Sequence, residues 1–106
     1  MVEACGVAAS KAGLSWPECD AHAGLYETSA ALHLMGVEAV GDFHDVHGYI
    51  AAEAGWTDRF FREGVSGLSA IGVVGDPRHA SPAAGERFIE AIAQLIARHF
   101  TIELEL

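Results

Sequence analysis

Between Ser81 and Phe100 the apolar residues Phe88, Ile89, Ile92, Leu95, Ile96 and Phe100 fall three or four apart, the spacing of one helical face. Ser81 supplies an N-cap hydroxyl and Pro82 the ring favoured at a first helical position. Arg98 and His99 stand near the end of the pattern, where cations suit the helix dipole. This long amphipathic helix needs partners to cover its stripe. The chain offers two. An alanine-rich helix is expected over Glu3–Lys11, ending near Gly13, and a second from Leu25 to Met35, with Gly36 placed to terminate it.

The rest of the chain is weaker in pattern. Leu14 to Cys19, with Pro17, reads as a connection, and Val37 to Tyr49 as loop with a short strand near Val46. Glu53 to Arg62 is expected to be a short helix turning Phe60 and Phe61 inward. Leu68 to Val74 fits a short strand or an extended loop before a turn at Asp76-Pro77. Thr101 to Leu106 alternates Ile102, Leu104 and Leu106 with Glu103 and Glu105, a strand-like or frayed tail. A full parallel sheet wants several β-branched runs, each followed by a helix, and this chain holds too few.

At 106 residues the chain is one domain with a small core. Its net charge of −9, with only six dispersed Lys and Arg, argues against nucleic acid and does not oppose a cation. Cys5 and Cys19 lack a CxxC spacing, the start lacks a basic signal-peptide region, and no apolar run reaches membrane-spanning length. A reducing cytoplasm is the expected location.

The segment Asp20-Ala21-His22-Ala23-Gly24-Leu25-Tyr26-Glu27-Thr28-Ser29 carries the chemistry. A small-residue turn before a helix leaves backbone N–H groups free to meet a ligand. Imidazole exchanges protons near neutrality, so His22 is the candidate acid–base group, with Glu27 to hold the ring or the substrate. The plainer readings are a histidine bracing a turn and a first-turn carboxylate favoured by the dipole. Gly24, Thr28 and Ser29 are candidates for substrate binding, although hydroxyls at a helix start more often bond local backbone. No Gly-x-Ser-x-Gly elbow surrounds Ser29. Asp42, His44, Asp45 and His47 form the one cluster able to hold zinc, nickel or manganese unaided. Gly72 to Pro77 lacks the ending of a phosphate loop and reads as a tight turn. Trp16 and Trp56 are read as core or interface residues.

The string His22-Ala23-Gly24, then Glu27-Thr28-Ser29, resembles the creatininase family of metal-dependent amidohydrolases. So does Gly72-Val73-Val74-Gly75-Asp76-Pro77 with Ala80-Ser81 and Gly85-Glu86, in the family's order about fifty residues on. The likeness covers roughly Gly13 to Phe100. It implies an α/β fold: part of a three-layer α/β/α creatininase-like architecture, a C-terminal fragment with few strands in one domain, residues 1–106. It also implies hydrolysis of a small or cyclic amide C–N bond by a hydroxide made on divalent zinc or manganese. His22 would give a proton to the leaving nitrogen, Glu27 would support His22, and Asp76 would be structural. The family's Glu-x-His and Asn-Gly-His metal motifs do not occur here. The chain is therefore expected to resemble the C-terminal part of such an enzyme, inactive alone. It would act with an N-terminal partner chain or as a homo-oligomer on a small-molecule amide. The alternatives are a non-catalytic remnant, split-enzyme subunit or oligomerisation module, and a small metal-binding protein using His44 and His47.

Overall fold

The computed structural model describes residues 2–14, 20–50 and 54–104. Trp16, Cys19 and Glu53 therefore lie outside the described residues. The alanine-rich start forms helix α1 (Val2–Lys11), and the second expected helix forms as α2 (Leu25–Met35). Gly36, at φ +86°, ends α2 by donating its N–H to the Leu32 carbonyl at 3.1 Å. A 3-10 turn (Val37–Ala39) follows, then α3 (Trp56–Glu63), the single turn α4 (Val65–Leu68), and the long α5 (Pro82–Leu104).

The core is a three-helix contact. α5 packs chiefly on α2 and secondly on α1. Ala8 and Ala9 of α1 are fully buried in a cluster with Tyr26, Phe88 and Ala91. Tyr26 of α2 lies against Phe88 of α5, with ring centroids 4.8 Å apart. Cys5, Leu14, Leu25, Ile92 and Leu95 pack around this cluster. The Ser81 hydroxyl accepts the Ala84 N–H at 3.1 Å, which is the expected N-cap.

Four expectations change. The α/β layer architecture is not formed: among the described residues there is no strand, only two isolated bridges, His22 to Val74 (antiparallel) and Tyr49 to Val74 (parallel). The cause is local. Gly72 and Gly75 bound the pair Val73-Val74, Gly48 precedes Tyr49, and the chain enters α2 three residues after His22, which leaves little length for pairing to propagate. The expected strand near Val46 is absent, and the pairing residue is Tyr49. Thr101 to Leu104 continues α5 rather than forming a strand-like tail, which leaves Arg98 and His99 short of its last turn. Phe61 is 78% exposed instead of turned inward; Phe60 alone is half-buried, edge-on to Trp56.

α5 reaches well beyond its partners. Its buried residues stop at Ala91, while Ile96, Phe100, Ile102 and Leu104 are exposed. The Cα radius of gyration, 14.8 Å, accordingly exceeds the roughly 13 Å of a compact chain this long. Among the described residues no helix is long and apolar enough to cross a membrane.

Candidate active site

The two segments fifty residues apart meet through Val74. Its carbonyl accepts the Ala21 and His22 N–H groups at 2.9 and 3.0 Å, and its own N–H reaches the His22 carbonyl at 2.8 Å. On the other side Tyr49 N–H binds the Val73 carbonyl and Gly75 N–H the Tyr49 carbonyl, each at 2.9 Å. Val74 is fully buried between them. The backbones of Gly24 and Gly75 then touch: a Cβ on Gly75 would stand 2.9 Å from the Gly24 Cα.

His22 is exposed at this junction. Its Nδ1 lies 2.8 Å from the Gly72 carbonyl oxygen. A carbonyl only accepts, so Nδ1 carries the proton, and Nε2 is the nitrogen left to exchange one. The following turn is strained, since Ala23 has φ +54°, a left-handed conformation that is costly for a residue with a Cβ. Glu27 and Thr28 hold it there. Glu27 Oε2 accepts the Ala23 N–H at 2.6 Å, and the Thr28 hydroxyl donates to the Ala23 carbonyl at 3.2 Å. Among the described residues, then, the imidazole is fixed by Gly72, and Glu27 acts on the turn one residue away.

Asp20 is the residue the pattern reading passed over. Its Oδ1 accepts the Leu25 N–H at 2.7 Å and its Oδ2 the Tyr26 N–H at 3.2 Å, capping α2 from five residues upstream. Burial pushes its carboxyl above the usual range; the two N–H donors pull the other way, while Glu27 and Asp76 add repulsion. A carboxylate five residues before a helix, with three small residues among the four between, is the sequence signal that would have marked it. Gly24 is buried beneath this carboxylate, and a Cβ there would collide with Asp20 Oδ1. Its part in the turn is to admit that oxygen.

Ser29 is moved from the expected substrate contact to the interior. It is fully buried, and its Oγ accepts the Ser81 N–H at 3.1 Å, tying α2 to the start of α5. The proposed metal cluster does not gather. His44 Nδ1 and Asp42 Oδ1 pair at 3.0 Å on an exposed loop, and Asp45 and His47 do not join them. Among the described residues no group of three or more His, Cys, Asp or Glu side chains is placed to hold a metal ion, so the residues described here do not fit one. An open cleft of about 530 Å³ beside Leu32, Val40, Phe43 and Pro82 lies at this loop, away from the His22 and Gly72 turns.

Asp76 braces the second turn. Its carboxylate takes a two-point contact from the Arg78 guanidinium, both bonds 2.8 Å, and also accepts the Arg78 N–H at 3.2 Å. The Arg78 contacts lower its pKa from the ordinary 3.8 to about 2. A carboxyl held low in the fold contributes stability above its unfolded value and loses it as pH falls toward the folded one. Acid titration is thus expected to remove this contribution from 3.8 down to about 2, and Asp76→Asn to flatten that part of a Tm-against-pH curve. An unchanged curve for the variant would show that the pair adds nothing.

The chain matches the creatininase (creatinine amidohydrolase) family over residues 4–100. It is 41% identical over 73 residues to a mycofactocin precursor peptide peptidase from Mycolicibacterium smegmatis, an alignment covering 69% of this chain and 29% of that relative. No solved structure matches it.

Proposed function

We propose, from the premise that this chain belongs to the creatininase family, that it carries the proton-handling part of an amide C–N hydrolase site. The observation that carries this reading is the geometry at His22: an exposed ring, anchored through Nδ1 to the Gly72 carbonyl and presenting Nε2 beside a glycine-walled turn. In hydrolysis the leaving amine nitrogen needs a proton as the C–N bond breaks. The imidazolium, protonated at both nitrogens, delivers it from Nε2; the Nδ1–H ring left behind then takes up a proton at Nε2 from water. Ala23 and Gly24, held by Glu27, Thr28 and Asp20, keep the ring's backbone in place. The role of Glu27 is to position the turn.

The name of the matched relative suggests a peptide amide as the substrate class, with small or cyclic amides the alternative. The divalent metal on which the family generally depends finds no gathered ligand set among the described residues, so zinc or manganese chemistry is not built from them. The matched stretch is 29% of the relative's length, and the activity proposed for the whole is to be sought with the remaining portion supplied. A cytoplasmic location accords with this reading.

The exposed apolar end of α5 favours a second reading, that of an interaction module which docks an N-terminal partner or another copy of itself. Amide hydrolysis assayed with added zinc or manganese separates the two. The chain alone is expected to be inactive, and mixing with the N-terminal portion of the matched peptidase to restore turnover. His22→Gln should then lower kcat by about 10²–10⁴-fold. Turnover in the mixture that His22→Gln leaves intact would reject the proton-handling role.

A further inference from the structure

We propose that Ser69 is a positioning residue that sets the tautomer of His22 by holding a single peptide plane. For its catalytic meaning this rests on the reading of His22 just given; the tautomer itself does not. The plane is the Gly72–Val73 peptide. Its carbonyl, Gly72 O, accepts from His22 Nδ1 at 2.8 Å, and its N–H, on Val73, donates to Ser69 Oγ at 3.1 Å. In a trans peptide these two groups point in opposite directions, so whatever fixes one aims the other.

The neighbouring peptide is secured by backbone on both sides, because Val73 O accepts the Tyr49 N–H and Val74 N–H donates to His22 O. The Gly72–Val73 N–H has the Ser69 hydroxyl. Ser69 is 7% exposed, so water is poorly placed to substitute for it. Gly72 has φ +84°, and a Cβ built there meets nothing within 4 Å; packing therefore does not restrain the plane at that residue. Glycine tolerates both orientations on its own side of the plane, so what opposes a turn-over is the Ser69 bond together with the φ of Val73, which is not in the left-handed region. With Ser69 in place, the carbonyl faces the ring, Nδ1 carries the proton, and neutral His22 offers a bare Nε2. With the plane turned over, an N–H would face Nδ1, the proton would move to Nε2, and the exposed edge would change from acceptor to donor.

Long-range ¹H–¹⁵N NMR of the histidine rings reads the tautomer directly, at about pH 8, where a free imidazole is neutral. In the wild-type chain His22 is expected to be mainly the Nδ1–H form. Loss of one modest hydrogen bond in Ser69→Ala should raise the ratio of Nε2–H to Nδ1–H by roughly fivefold or more. Ser69→Thr, which keeps the hydroxyl, should restore the wild-type ratio. Ser69→Cys, close in size but a poor acceptor, should shift it as alanine does and serves if Ser69→Ala does not fold. A wild-type ring mainly in the Nε2–H form would overturn the proposal. So would an unchanged ratio in folded Ser69→Ala or Ser69→Cys. If the tautomer behaves as expected while His22→Gln leaves turnover intact, the catalytic reading fails and this one stands.

Discussion

Replacing Gly85 by alanine is expected to cost about 2–3 kcal/mol of stability, against the usual direction for a helix glycine. In an ordinary exposed helix interior the change gains roughly 1 kcal/mol, because alanine surrenders less backbone freedom on folding. Gly85 is buried, and it sits where α5 crosses α2. A Cβ there collides with the carbonyl group of Ser29 and would stand 2.9 Å from the Ala30 nitrogen. Those atoms are helix backbone, which cannot rotate aside as a side chain does. The helices would have to part, straining the Ser81 N–H bond to Ser29 Oγ and the Tyr26–Phe88 contact. For a domain of this size the loss corresponds to a Tm lower by about 10–20 °C. Gly41 supplies the control: a Cβ there meets nothing within 4 Å, and Gly41→Ala should move stability by less than about 0.5 kcal/mol. Equal melting curves for wild type and Gly85→Ala would mean that the crossing is looser than described.

What the sequence makes legible and what it hides divide along a physical line. The start of α5 is written in adjacent residues: a serine cap, a proline at the first position, then apolar residues at helical spacing. Gly36 ends α2 for an equally local reason. The end of α5 is ambiguous because the five residues from Ile102 to Leu106, alternating apolar and acidic, suit a strand, whereas continuation of an existing helix costs no new nucleus. Ser29 and Phe61 are misjudged because burial depends on which element arrives from elsewhere; Ser81 lies 52 residues from Ser29. His22 stands out as a candidate from its neighbours, but its anchor, Gly72, is 50 residues distant and acts through a main-chain carbonyl that no side-chain pattern records. The expected layers come from the resemblance, whereas each bridge residue has on at least one side a glycine, as at Tyr49 and Val74, or a short run into a helix, as at His22.

Asp20→Ala is expected to cost about 2 kcal/mol, and Asp20→Asn much less. Alanine leaves the Leu25 and Tyr26 N–H groups at the start of α2 without their acceptors, in a place half-closed to water. It also removes a negative charge from the positive end of the helix. Asparagine keeps one side-chain oxygen and fills the same space under Gly24 and Gly75. It gives up one of the two bonds but relieves the burial of a charge and its repulsion by Glu27 and Asp76. The pH dependence separates these contributions. Because the folded carboxyl titrates above its ordinary 3.8, this group favours the fold most when protonated, and that advantage fades as pH rises through the folded value. Its sign is opposite to that of Asp76, whose contribution fades as pH falls. Asp20→Asn should therefore narrow the gap to wild type, or reverse it, as pH increases from about 4 toward 7. Urea unfolding across that range reads the trend. Equal losses in the alanine and asparagine variants would show that the side-chain oxygens do not hold the turn. In that case the backbone bonds to Val74 would have to keep His22 in place unaided.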